Sequence, residues 1–201
     1  MPRRLRKIKK LSLYKSLQLG YLRNEAKQAK RLKKFGYIID KELTDNQHLV
    51  ARNAFNGKVL FVNNGSSISA FDPNQTIKDW RSNVLNVPTG TFQYTPRYQE
   101  DKNTYLKIKN KYKEAPVVMV AHSQGAISVN DLAKTGDTAY TFNGAFLKQK
   151  DNPNVTNYRT KGDLVSAFAN PNDMKTLVSP VTQNPIAAHN IENIKNLPVF
   201  V

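Results

Sequence analysis

Cysteine is absent from the 201 residues. That excludes a disulfide scaffold, a thiolate metal site and a cysteine nucleophile. Long apolar runs are absent too: no stretch approaches the roughly 18–20 residues that cross a bilayer, so an integral membrane protein is not expected. Acid is scarce, with 15 Asp+Glu against 31 Lys+Arg and a net charge of +16. What is present is a hydrophobic fraction of 39%, including 9 Phe and 9 Tyr. This is enough for a core, and global disorder is not expected. At roughly 100–200 residues per domain, the length fits one domain with an appendage.

The charge is concentrated at one end. Residues 1–36 hold 13 Lys/Arg against the single Glu25, which is +12 of the net +16. The chain therefore reads as a basic arm over residues 1–40 and a nearly neutral body over residues 41–201. Within the arm, Tyr14, Leu17, Tyr21 and Leu22 recur at helical steps, with Gly20 as an interruption before a second helical stretch. Lys15 breaks the apolar stretch a secretory signal needs, so an intracellular or particle-associated location is expected. Three uses of residues 1–36 fit the pattern: a helix whose apolar stripe docks on the body or on a neighbouring subunit, an arm that neutralises nucleic-acid phosphates, or an amphipathic helix on an anionic membrane. No base-reading motif is present, so nucleic-acid contacts would ignore sequence.

The body alternates strand and helix signals. Thr44 suits the N-cap of a helix over residues 45–55, ended by Asn56-Gly57, with His48 on its surface. Residues 59–62 and 117–121 are short, wholly apolar runs of the kind buried on both sheet faces. Helices are expected over residues 98–112, 126–134 and 187–195, and strands over 138–142 and 155–160. The fold class is α/β: a compact α/β-hydrolase-like sheet covered by helices on both faces, with the basic helical arm at its N-terminus.

Chemistry concentrates in Ala121-His122-Ser123-Gln124-Gly125, between a buried strand and a helix. Small residues two before and two after a serine permit the tight turn that lifts its hydroxyl above a sheet. The serine needs a base. His122 points away from its neighbour and His48 lies on the expected helix, whereas His189 enters a late helix from a loop that can swing over the sheet edge. Among Asp131, Asp137, Asp151, Asp163 and Asp173, only Asp163 follows directly on a strand and a Gly turn, although the same position also suits a helix cap. An oxyanion site needs two backbone donors; the N–H groups of Ser66, after the first apolar strand, and Gln124, at the helix start, have that placement.

The body resembles the class 3 (fungal-type) lipase family over residues 58–195. Val62-Asn63-Asn64-Gly65-Ser66 is similar to the family's oxyanion turn, with Asn64 where that turn has Arg. The nucleophile elbow Ala121-His122-Ser123-Gln124-Gly125, Thr141-Phe142-Asn143-Gly144, Gly162-Asp163-Leu164-Val165-Ser166 and His189-Asn190-Ile191-Glu192-Asn193 resemble later family landmarks in order. Asp79-Trp80 is similar to a further element, and Tyr105, Lys109 and Tyr112 match another loosely. The resemblance implies a lipase or esterase with Ser123, His189 and Asp163 as catalytic triad, acting on a lipid or small ester without metal or cofactor. The chain departs from the family in its compactness, with only residues 67–80 available as a lid, so a small or partly open acyl pocket lined by Phe71, Trp80 and Phe92 is expected. The competing expectation is a catalytically weak or inactive interaction protein, for example a virion component in a larger assembly, whose arm binds nucleic acid or anionic membrane.

Overall fold

Apolar runs that one sheet face cannot satisfy stand at the centre of the molecule. The computed structural model describes residues 9–65, 91–145, 152–163, 166, 174–177 and 185–201. Seven strands form one sheet in sequence order: β1 (Tyr37–Ile39), β2 (His48–Asn53), β3 (Val59–Asn63), β4 (Val117–His122), β5 (Thr138–Phe142), β6 (Val155–Thr160) and β7 (Met174–Leu177). β1, β2 and β3 pair antiparallel, and β3 through β7 pair parallel. The fold is α/β, with helices over both faces of a mixed sheet.

The two faces bury alternate residues. Val59, Phe61, Val117, Met119 and Ala121 face one layer, with Tyr98, Tyr105 and Ile108 of α3 (Pro96–Tyr112) and Ala126, Ile127 and Val129 of α4 (Gln124–Leu132). Thr95 caps α3 by accepting from Tyr98 N, and Pro96 occupies its first turn. Leu60, Val62, Val120 and Phe142 face the other layer, built from the ends of the chain: Leu13 and Leu17 of α1 (Leu13–Gly20), Leu32 of α2 (Glu25–Lys33), and Ile194 near the C-terminus. Ser12 and Asn24 cap these two helices, accepting from Lys15 N and Lys27 N. Leu13 N donates to Val199 O, and Val201 N to Leu11 O, both at 2.9 Å, so the terminal segments hold each other.

Packing is therefore continuous across residue 40. The apolar stripe of the basic segment docks on the body, the first of the three expectations for it, and is not available to enter a membrane. Among the described residues no helix is long and apolar enough to cross one.

Two local readings need correction. Residues 45–55 are not a helix but contain β2 and the turn of a hairpin. Thr44 and Asp45 cap, but they cap a turn: Asp45 Oδ1 accepts from Gln47 N and His48 N, and Thr44 Oγ1 accepts from Val50 N. Pairing of His48–Asn53 with β3 outweighs weak helix propensity. His48, expected on the surface, is 1% exposed. Residues 187–195 break at His189, between α5 (Pro185–Ala188) and a 3₁₀ turn (Ile191–Ile194) that Asn190 restarts by accepting from Glu192 N. Leu17 is fully buried in the second layer; Leu17→Ala should lower unfolding free energy by about 3 kcal/mol in urea titrations.

Candidate active site

β4 ends in a turn that no ordinary strand exit makes. Ser123 has φ 55 and ψ −126, a left-handed conformation costing about 1–3 kcal/mol for a residue with a side chain. The surroundings hold it there. Ser123 N donates to Phe142 O at 3.0 Å on the neighbouring strand. The turn after β3 crosses the elbow at backbone distance: a Cβ on Gly65 would lie 2.6 Å from Ser123 Cβ, and one on Gly125 would lie 2.6 Å from Asn63 O. Only glycine fits at either place.

The strained turn presents the hydroxyl to an imidazole. His189 Nε2 is 2.9 Å from Ser123 Oγ, and His189 Nδ1 is 3.0 Å from Asp163 Oδ1. Nδ1 facing a carboxylate carries the proton, which leaves Nε2 as the acceptor for the serine O–H. Asp163 is 2% exposed and His189 6%. The second Asp163 oxygen accepts from Ser166 Oγ at 2.5 Å and Ser166 N at 3.2 Å. One carboxylate thus serves both Ser166 and the imidazole. Asn143, at the end of β5, accepts from Thr160 N at 2.8 Å and donates to Ala188 O at 3.0 Å. It ties the strand before Asp163 to the residue before His189.

A second layer of contacts comes from residues that sequence reasoning left unassigned. His122 Nε2–H donates to the carbonyl of His189 at 2.9 Å, so its Nδ1 is an acceptor, and Tyr21 Oη donates to it at 2.7 Å. Tyr21 Oη in turn accepts from Gly65 N at 3.0 Å. Burial, reinforced by the nearby His189, pushes His122 down to about 3; burial pushes the Tyr21 hydroxyl up. Both stay neutral near pH 7, consistent with this donor order. Arg97 of α3 donates through Nη2 to Asn63 Oδ1 at 2.6 Å and Asn64 O at 2.5 Å, and through Nε to Asp101 Oδ1 at 2.9 Å. The turn that lacks an arginine of its own is thus held by one from a helix. Asp101 also accepts from His48 Nε2 at 2.7 Å and Ser128 Oγ at 2.5 Å.

Of the residues expected at the site, Ser123, His189 and Asp163 are brought together. Gln124 is the first residue of α4, with its backbone N–H at the helix start. Ser66, Phe71 and Trp80 lie outside the described residues. Phe92 is buried against Tyr98, ring centroids 6.0 Å apart, within the core under α3. Among the other acids considered, Asp131 accepts from Tyr98 Oη and Asp137 from Tyr105 Oη, so both serve packing. Asp151 and Asp173 lie outside the described residues.

No protein-family model matches the chain, and no curated protein matches it in sequence. Two solved structures are similar. One is the native propeptide complex of Rhizomucor miehei lipase, at 15% identity and a TM-score of 0.47 over 76% of this chain and 60% of that one. The other is the Lip2 lipase of Yarrowia lipolytica, at 10% identity and 0.46 over 82% and 77%. The chain thus spans about three-fifths of the Rhizomucor structure. The chemistry is argued from this chain's own side chains.

The network under the turn has a pH signature. Burial opposes the charged form of His48, but hydrogen bonds to Asp101 and Asp45 outweigh it and raise its pKa above 6.5. A raised folded pKa contributes stability that is fully present below 6.5 and lost as pH rises through the folded value. Urea midpoints of the native chain should therefore fall as pH climbs beyond neutrality. His48→Gln should be less stable at pH 6 and lose that component of the slope.

Proposed function

We propose that the protein is a serine hydrolase that cleaves carboxylic esters, with lipid or small esters as substrate class. The reading rests on one observation: a hydrogen-bonded line from Asp163 through His189 to Ser123, with spans of 3.0 and 2.9 Å, ending on a serine held in a strained turn. An unassisted serine hydroxyl is a poor nucleophile at neutral pH, and a base within hydrogen-bond reach removes that limit.

In this scheme Ser123 Oγ attacks the ester carbonyl carbon as its proton passes to His189 Nε2. Asp163 balances the imidazolium and keeps the ring oriented. The N–H groups of Gln124 and Ser66 receive the oxyanion, the first aided by its position at the start of α4. His189 then gives its proton to the departing alcohol, which leaves an acyl group on Ser123. A water deprotonated by His189 attacks that acyl group and restores the serine. Neither metal nor cofactor enters.

A second reading, compatible with the first, concerns the outside of the basic segment. Lys27, Lys30, Lys33 and Lys34 project into solvent from α2 and its end, while Glu25, the one acid in residues 1–36, is engaged by Lys41 at 2.6 Å. We propose that this face docks on a polyanion, nucleic acid or anionic membrane, through charge alone, since the apolar stripe is spent on the core.

Ser123→Ala should abolish fluorophosphonate labelling and hydrolysis of short p-nitrophenyl esters. Asp163→Asn should lower turnover by roughly a thousandfold or more. Labelling of the Ser123→Ala chain at the native rate would refute the nucleophile. For the charged face, reversing Lys27, Lys30, Lys33 and Lys34 to Glu should remove salt-sensitive binding to DNA or anionic vesicles while ester hydrolysis persists. Binding that survives reversal would overturn that assignment.

A further inference from the structure

We propose that Tyr21, delivered from the N-terminal segment, is a positioning residue for ester hydrolysis, its single hydroxyl joining the oxyanion turn, the nucleophile elbow and the loop that carries the base. The inference rests on the ester-hydrolase reading and extends it to a residue outside the triad.

Every hydrogen bond in the chain has a defined direction. Gly65 N–H donates to Tyr21 Oη at 3.0 Å, Tyr21 O–H donates to His122 Nδ1 at 2.7 Å, and His122 Nε2–H donates to the backbone carbonyl of His189 at 2.9 Å. The last link requires the Nε2–H tautomer, and that tautomer needs a donor facing Nδ1. Tyr21 supplies it. A phenylalanine would fill the same volume but leave the Gly65 N–H and His122 Nδ1 without this partner.

The geometry of the helix end makes the contact specific. Tyr21 follows α1 directly, with its N–H bonded to Leu17 O at 3.1 Å. Gly20 O accepts from Asn64 Nδ2 at 2.7 Å, and a Cβ on Gly20 would lie 2.3 Å from Asn64 Oδ1. The helix end is thus pressed against the turn that precedes Ser66. The rest of α1 docks through Leu13, Leu17 and Leu19 without needing a polar group there. The bond to Gly65 N holds the turn after β3 where it crosses the Ser123 turn. Fixing the His189 carbonyl sets the backbone from which the base projects. Both are demands of the transition state, so the loss should appear in kcat rather than KM.

The test compares the full-length native chain with Tyr21→Phe on a short p-nitrophenyl ester and a fluorophosphonate. Tyr21→Phe should lower kcat by about 10- to 100-fold with KM nearly unchanged. The phosphonylation rate constant should fall in parallel, because that adduct forms on the same serine with the same base. A His122→Phe chain and the double variant should show non-additive losses, since all cut one relay. A folded Tyr21→Phe chain with native kcat and phosphonylation rate, whatever its thermal stability, overturns the proposal while leaving the hydrolase reading intact. An unreactive native chain overturns both. If Tyr21→Phe does not fold, fluorotyrosines at position 21 retain ring and hydroxyl while changing its acidity. A graded change in kcat then supports the relay, and an invariant kcat overturns it.

Discussion

Strands β3 and β4 carry apolar side chains on both faces of the sheet, so neither face can be left to water. Parallel strands in sequence order, joined by right-handed crossovers, send their connecting helices to the same face. Both α3 and α4 pack there. Leu60, Val62, Val120 and Phe142 on the opposite face would remain wet, at about 25 cal/mol for each Å² of apolar surface. Among the described residues, the two terminal segments cover them. Helices α1 and α2 from one end and the segment after His189 from the other do so, hydrogen-bonded to each other. The basic segment is amphipathic for this reason: its leucines belong to the core, and its lysines are what that geometry leaves outside.

The site follows from the same arrangement. Elements that close the second face also bring Tyr21 and the His189 loop to the C-terminal ends of β3 and β4, where the Ser123 turn opens. Tyr14 Oη donates to Glu192 Oε1 at 2.5 Å, joining α1 to the turn after His189. Strain at Ser123 is tolerable because the residues around it are over-determined: Gly65 and Gly125 admit the neighbouring backbone, and Arg97 and Asp101 hold the β3 turn from α3. A hydroxyl, an imidazole and a carboxylate from three separate strand ends then meet without any one loop having to carry them all.

Local chemistry made much of this legible. The apolar runs at residues 59–62 and 117–121 read as doubly buried strands because neither shows alternation, and both are strands. Tyr98, Tyr105 and Ile108 read as one helix face and pack as one. Asp163 was readable from its Gly turn, and His189 from its loop. Residues 45–55 were not, because Asp45 accepts from Gln47 N and His48 N with the same hydrogen bonds that begin a helix. His48 looked superficial because its partner Asp101 lies 53 residues away. The contacts of Tyr21 and Arg97 have no signature of their own: Tyr21 and His122 stand 101 residues apart, and a tyrosine on a helical stripe reads first as core.

By itself the amino-acid order determined the doubly buried strands at residues 59–62 and 117–121, where the tight Ser123 turn fell, and that most of the net positive charge lay at one end. Those are short-range properties, set by side-chain size, hydrogen-bonding type and spacing along a few residues. Tertiary structure alone decided that the charged end would serve as the second covering layer, that His48 would be buried, and that Tyr21 would meet His122. Each of those outcomes depends on which surfaces are left uncovered once the sheet has formed, and no local window contains that information.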